Sequence, residues 1–297
     1  MEQMNRRKFI KTGTVGLAGF TVWQRGLANI DWSIQQNAMV DKVTLGKTGL
    51  VVPRLAMGTG STGGRNASNQ TRLGMDAFKK LALHAYDRGM RFYDMAEGYG
   101  SMPFVGESIK TLPRENLILL SKMAVPEDSS NRKVSVTESL DRFRKELGTD
   151  YIDIFLMHYI TRGGWEKSYA GYMEEYLKAK QAGIIKAVGI SCHHIDALRE
   201  AAVSPWIDVI MARLNPFGTN MDDTPEEVNK ALAIAKSNGK GIVNMKVFGD
   251  GVNVTEPERE QSLNFVLKEG NVHCLTLGLE SIEQMDDAIN RAMRIIS

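Results

Sequence analysis

Asp94, Tyr99, Lys122 and His158 have the types and spacing to run a proton relay. In Arg91-Phe-Tyr-Asp-Met-Ala-Glu-Gly-Tyr-Gly100 a short apolar run ends in Asp94 and breaks into a glycine-punctuated turn that presents Tyr99. A phenol is a weak proton donor near neutral pH because its ordinary pKa is about 10. A nearby ammonium favours the phenolate, and a carboxylate holds that ammonium charged and in place. Lys122 closes a second apolar run after Leu-Leu-Ser, and His158 closes a third after Ile-Phe-Leu-Met. Taken singly, each residue has a structural alternative: a helix cap for Asp94, a solvated terminus for Lys122, a core histidine for His158, a rim aromatic for Tyr99.

Bringing them together requires a scaffold that gathers strand ends. Short apolar runs at 54–58, 91–94, 117–122, 152–157, 187–191, 209–215, 241–246 and 274–278 alternate with amphipathic helical patterns. The clearest helix spans 136–147, where Val136, Leu140, Phe143 and Leu147 keep helical spacing and Gly148 supplies the stop. Parallel strands need crossover connections, so eight strand-helix units predict an α/β fold, a (β/α)8 TIM barrel. A doubly wound fold is the alternative. Residues 43–52 read as a short N-terminal β-hairpin around Gly-Lys-Thr-Gly, a lid on one barrel end. In such a barrel the strand C-termini form the functional mouth, which is where the four candidates fall.

Composition narrows the partners. A 297-residue chain with 43% hydrophobic and 24% charged residues is globular, and a net charge of +2 offers no basic face for nucleic acid or lipid. Cys192 and Cys274 read as separate strand thiols, and no metal-ligand spacing occurs.

Residues 1–28 read as an export address. Arg6, Arg7, Phe9, Ile10 and Lys11 precede a short apolar stretch at 13–23, a segment that resembles a twin-arginine signal. It implies passage through the export machinery to the periplasm, with membrane contact through the signal segment alone. Gly26-Leu-Ala28 is the cleavage candidate, 29–42 a linker, and 43–297 the barrel domain.

From residue 43 to 295 the chain resembles the aldo/keto reductases. Asp94-Met-Ala-Glu-Gly-Tyr99-Gly, Gly106-Glu107, Ser121-Lys122, Leu156-Met-His158, Val188-Gly-Ile-Ser191 and Leu214-Asn215-Pro216 carry the likeness. The resemblance implies hydride transfer between a nicotinamide and a carbonyl or sugar substrate. Tyr99 would be the proton donor, Lys122 would lower its pKa, Asp94 would pair with Lys122, and His158 would orient the carbonyl. It also implies NAD(P)H across the mouth, with Ser191 and position 211 at the carboxamide. Gly58, Lys246, Phe248, Gly249, Gly278 and Ser281 would lie along the rest of the cofactor. Met211 replaces the usual Gln there, and Met245 the usual ring-stacking Tyr.

NADH versus NADPH is open. Glu280, Glu283, Asp286 and Asp287 stand where NADPH enzymes place cations, so repulsion of a 2′-phosphate and plain helix capping are both readings. The loops 60–69, 159–169 and 217–223 would shape the pocket, with Trp165, Tyr169 and Tyr172 offering either an aromatic wall or helix packing. A cofactor-binding sensor or accessory subunit with little turnover, and a lyase using Lys122 as a Schiff base, are the competing functions.

Overall fold

The computed structural model describes residues 39–126 and 135–297. The signal segment and most of the 29–42 linker expected from the sequence lie outside the described residues. A two-stranded hairpin, β1 (Lys42–Thr44) and β2 (Val51–Pro53), precedes the barrel. The barrel strands are β3 (Leu55–Gly58), β4 (Phe92–Asp94), β5 (Ile118–Ala124), β6 (Ile152–Ile160), β7 (Ile185–Cys192), β8 (Val209–Arg213), β9 (Gly241–Met245) and β10 (Cys274–Leu277). They pair in parallel and close in the order β10-β3-β4-β5-β6-β7-β8-β9. The predicted (β/α)8 architecture and hairpin are both present.

Helices α1 (Met75–Asp87), α2 (Met102–Ile109), α3 (Val136–Leu147), α4 (Ala170–Gln181), α5 (Ile195–Val203), α6 (Pro225–Ser237), α7 (Glu256–Asn264) and α8 (Ile282–Ile296) follow β3 through β10 in turn. Helix α3 matches the predicted span. The Ser135 side chain accepts from the Glu138 amide at its start, and Gly148 ends it in the left-handed region that a side chain disfavours.

Strand alternation sorts the side chains. Ala56, Phe92, Leu120, Ile154, Leu156, Ala187, Val209, Met211, Val243 and Cys274 fill the barrel, while Leu45 and Val52 of the hairpin segment close its N-terminal end. The residues two further along β4, β5, β6 and β10 are Asp94, Lys122, His158 and Thr276, so the same alternation aims them at the other end. Out-facing residues such as Tyr93, Leu119, Phe155 and Ile190 meet the helices in the larger core layer.

Several strand ends differ from expectation. Strand β6 continues through Ile160 across a register shift after Met157. Strands β8 and β9 stop early because Asn215 takes over from the ladder: its Nδ2 donates to the Thr219 and Lys246 carbonyls at 2.8 and 3.2 Å. Its Oδ1 accepts from the Phe217 and Thr219 amides.

Candidate active site

Lys122 is fully enclosed at 1% exposure, and its ammonium donates to Asp94 Oδ1. An ammonium without a counter-ion is not stable in such a place, so the pair stands or falls together. Burial pulls the Lys122 ammonium below its ordinary range, and Asp94 opposes that pull. Asp94 is held from three further directions. The Thr59 amide and hydroxyl both donate to its backbone carbonyl, at 3.1 and 2.8 Å. Its Oδ2 accepts from the Thr276 hydroxyl at 3.0 Å.

The 3-10 turn Glu97–Tyr99 carries the phenol back over this pair. Lys122 Nζ lies 5.4 Å from the Tyr99 ring centroid, and the His158 ring stands edge-on to that ring at 5.8 Å. The four sequence candidates therefore converge on one mouth. Gly60 and Gly63 wall the ring from the side. A Cβ on either would sit 2.2 or 2.7 Å from Tyr99 carbons, so only glycines let this loop hold the phenol in place. Neither the Tyr99 hydroxyl nor the His158 imidazole has a hydrogen-bond partner among the described residues, which leaves both for a substrate oxygen.

Ionisation differs from what the resemblance implied. Lys122 does not dominate the phenol: burial first, then Asp94 and Asp250, pushes Tyr99 above its ordinary range. Asp94 already engages the ammonium charge. Tyr99 is thus a neutral acid carrying its proton. Burial, then Lys122, depresses His158 to about 3, making it a neutral hydrogen-bond donor.

Tyr159 and His193 are mouth residues the sequence reading did not single out. The register shift in β6 puts Tyr159 in left-handed backbone at φ 67°, 59% exposed, with its ring 4.2 Å from that of His193. Strain in a non-glycine residue one step past a site histidine is typical of functional mouths. His193 shares a hydrogen bond with Ser191 Oγ at 3.1 Å, and burial, then Arg213, depresses it to about 2. The sequence signal available was position: His193 lies one residue beyond β7 and Tyr159 next to His158. Arg213, which pairs with the buried Asp222, needed tertiary structure to appear.

Cofactor-side residues divide into two groups. Ser191, His193, Met245 and the 246–251 loop lie at the mouth. Lys246, Gly249, Asp250 and Gly251 are left-handed there, and the Phe248 and Asp250 amides donate to no backbone oxygen among the described residues. Curled backbone with amides to spare suits a pyrophosphate, and the Ser191–His193 edge suits a carboxamide, so these residues fit a nicotinamide dinucleotide. Lys246 Nζ is bonded to Asp250 at 3.0 Å. Met211, by contrast, is fully buried in the barrel interior. Gly58 and Gly278 serve close packing: a Cβ on the first would lie 2.9 Å from Thr276 Oγ1, and on the second 2.0 Å from Ser61 Oγ. Ser281 caps α8 by accepting from the Gln284 amide. Phe248 packs partly against the core.

Two readings that the sequence leaves open are decided here. Trp165, Tyr169 and Tyr172 are at most 3% exposed. Trp165 meets Trp206 at 6.1 Å in the helix layer, so these residues pack helices and form no substrate wall. The acid cluster is also largely committed. Asp286 accepts from His84 and Arg88 at the end of α1 and Asp287 from Arg259 of α7, in bridges between helices, while Arg291 bonds Asp287 within α8. Glu280 remains on the rim, accepting from Asn69 Nδ2 at 2.6 Å. Cys192 and Cys274 are free and buried, as expected. Among the described residues no cluster could hold a metal ion, and no helix is long and apolar enough to cross a membrane.

The chain is similar to known proteins. The chain is 27% identical to the NADH-specific methylglyoxal reductase of Escherichia coli over 67% of its own length and 64% of that protein's, so it spans slightly under two thirds of that relative. It is 26% identical to a D-threo-aldose 1-dehydrogenase from a Pseudomonas species over 71% of each. A putative aldo-keto reductase of Pseudomonas aeruginosa superposes with a TM-score of 0.73 over 89% of this chain and 99% of that one, at 20% identity, a likeness of fold. The aldo/keto reductase family model itself matches residues 54–294. With that match spanning the barrel from β3 into α8, the chain belongs to the aldo/keto reductase family.

Proposed function

We propose that the chain reduces a small neutral aldehyde or ketone, or oxidises the matching alcohol, in an NAD(P)(H)-dependent reaction with Tyr99 as general acid and base. The carrying observation is the convergence of an unpartnered phenol and an unpartnered neutral imidazole over the buried Asp94–Lys122 pair. A bound reduced nicotinamide supplies the hydride. The carbonyl oxygen gains negative charge as the reaction proceeds, so donors aimed at it stabilise the transition state more than the ground state. His158 donates to that oxygen and fixes its direction. Tyr99 delivers the proton, and the nearby Lys122 charge steadies the phenolate left behind. Lys122 is enclosed and ion-paired, which speaks against a Schiff-base lyase.

Charge supports a neutral substrate. The cations acting on His193 at the mouth are Lys122, Arg213 and Lys246, and each already pairs with a carboxylate. The relatives named for methylglyoxal and an aldose act on uncharged carbonyl compounds or sugars, in keeping with that balance. NADH is the favoured nucleotide, because the rim acid Glu280 would repel a 2′-phosphate at the adenosine end. In a panel of methylglyoxal and neutral sugars followed at the nicotinamide absorbance, turnover is expected with NADH at least as good as with NADPH. Glu280→Lys should shift the NADPH/NADH ratio of kcat/KM upward about tenfold, the effect of one near-surface charge reversal. Absence of turnover on every carbonyl would favour the accessory-subunit reading instead.

Export to the periplasm through the twin-arginine route completes the proposal, resting on Arg6, Arg7 and the residues that follow. Immunoblots of fractionated cells should find the protein outside the cytoplasm, and Arg6→Lys/Arg7→Lys should leave it in the cytoplasm. A wild-type protein confined to the cytoplasm of export-competent cells refutes this part alone.

A further inference from the structure

Strand order places β3 between β10 and β4, yet a side chain of β10 reaches a side chain of β4. Thr276 Oγ1 crosses over Gly58, the residue of β3 that pairs with Asp94 in the ladder, and donates to Asp94 Oδ2 at 3.0 Å. The crossing exists because position 58 lacks a side chain: a Cβ there would stand 2.9 Å from that same hydroxyl oxygen. Thr276 is 7% exposed. Each oxygen of Asp94 thus has its own donor: the backbone carbonyl takes Thr59, Oδ1 takes Lys122 and Oδ2 takes Thr276. Thr59 is in turn bonded to Ser101 at 2.7 Å, so the acid is fixed at both ends.

We propose that Thr276 is a positioning residue of the relay, holding Asp94 ionised and oriented so that Lys122 stays an ammonium beneath Tyr99. The role rests on the proposed reaction, and Thr276 touches neither the phenol nor the substrate. A hydrogen bond to a buried carboxylate stabilises its charged form. Without it, Oδ2 is a buried acceptor with no donor, Asp94 takes up a proton more readily, and a lysine enclosed on all sides loses the counter-charge that keeps it protonated. Tyr99, Lys122 and Cys274 bear on this carboxylate directly, and Asp250, His158 and Arg54 are coupled to those three in turn. Tyr99 lies in the loop after β4, Lys122 on β5, His158 on β6 and Asp250 after β9. Cys274 faces the same interior from β10, with Arg54 beyond it at the foot of β3. Of these, Lys122 is the cation bonded to Asp94, so the consequence of weakening Asp94 falls on Lys122.

The test compares Thr276→Val, which keeps shape and removes the hydroxyl, with Thr276→Ser, which keeps the hydroxyl. For Val, kcat/KM for the reduced carbonyl should fall about tenfold. The acid limb of its pH profile should move to higher pH by about one unit, since a carboxylate that loses a donor takes up a proton more readily. Binding of NADH, measured by fluorescence titration, should stay unchanged. Ser should restore both rate and profile. A Val variant with the wild-type profile overturns the proposal. Stability offers a readout independent of turnover: Val should lower the melting temperature by about 2–4 °C in the wild-type background and hardly at all in Asp94→Asn. Equal losses in both backgrounds overturn the proposal even if no substrate is found. Wild-type inactivity with the expected coupling instead faults the functional reading. If Val does not fold, Thr276→Ala supports the same comparisons.

Discussion

Tyr99→Phe should lower kcat/KM for carbonyl reduction by about 10²–10⁴-fold and leave the fold as stable as before. Both halves of that expectation come from one feature. The hydroxyl makes no hydrogen bond to another described residue, so its removal strands no partner and the melting temperature should not move by more than about 2 °C. Its ring is held by Gly60, Gly63, His158 and the turn Glu97–Tyr99, and Phe retains all of these contacts. What disappears is the proton. Burial keeps the phenol protonated through the neutral range, so the wild type always has a proton to give, and Phe has none. His158 still polarises the carbonyl, which is why a residual rate is expected. Steady-state kinetics on the best substrate, with a thermal melt on the same preparation, decide the matter. A Phe variant within threefold of wild type would remove Tyr99 from the chemistry.

The largest stability effect belongs to Lys122→Met. Met has a similar length and fits an apolar shaft, but it leaves Asp94 buried with the Thr276 hydroxyl on Oδ2 and no donor in place of the ammonium on Oδ1. Removing one member of a buried pair costs about 3–5 kcal/mol, a drop in melting temperature on the order of 10 °C for a chain this size. Two further measurements separate this cause from poor packing. In the variant the unpaired Asp94 carboxylate carries the penalty only while it is charged, so the penalty shrinks as pH falls and the carboxyl becomes neutral. Compared with wild type at each pH, the deficit should therefore be smaller at pH 4.5 than at pH 7. In the second measurement, Lys122→Met/Asp94→Asn should recover most of the loss, since no charge is then left unpaired. If the double variant is as unstable as the sum of the singles, the deficit comes from shape.

Acid adds a background common to all these variants. His158 and His193 are held neutral in the folded chain but titrate at ordinary values when unfolded. The unfolded state therefore binds more protons between about pH 6.5 and 3, and stability falls as pH is lowered through that window. Comparisons with wild type at matched pH cancel the part of this contribution that comes from burial, while Lys122→Met also loses the part that comes from Lys122.

Much of the fold was legible because barrel strands and helices advertise themselves locally. Eight apolar runs at regular intervals, and a helix with a serine before it and a glycine after it, depend on neighbours within a few residues. The sites at Asp94, Lys122 and His158 were legible for the same reason: a polar residue ending an apolar run is visible in one dimension. Strand ends in β6, β8 and β9 were misjudged where a bulge or the Asn215 side chain overrides the ladder, and neither shows in hydrophobic pattern. The choice between an aromatic wall and helix packing stayed open because Trp165, Tyr169 and Tyr172 look alike in sequence whether they face a cleft or a helix. The role of the acids at the start of α8 stayed open because their partners, His84, Arg88 and Arg259, lie far away along the chain.

By itself, then, the sequence determined a parallel barrel with an acid, a phenol, a lysine and a histidine at its mouth, because period-two alternation and strand-end position are local properties. Tertiary structure decided what surrounds them. It set Thr276 across Gly58 on the free oxygen of Asp94, and laid two glycines against the Tyr99 ring. It also turned Tyr159 onto His193 and spent most of the terminal acids on helix bridges. Those outcomes depend on closure of the barrel, which brings β10 beside β3 although more than two hundred residues separate them. Contacts made across such a closure follow from shear and steric fit between strands, which spacing along the chain does not encode.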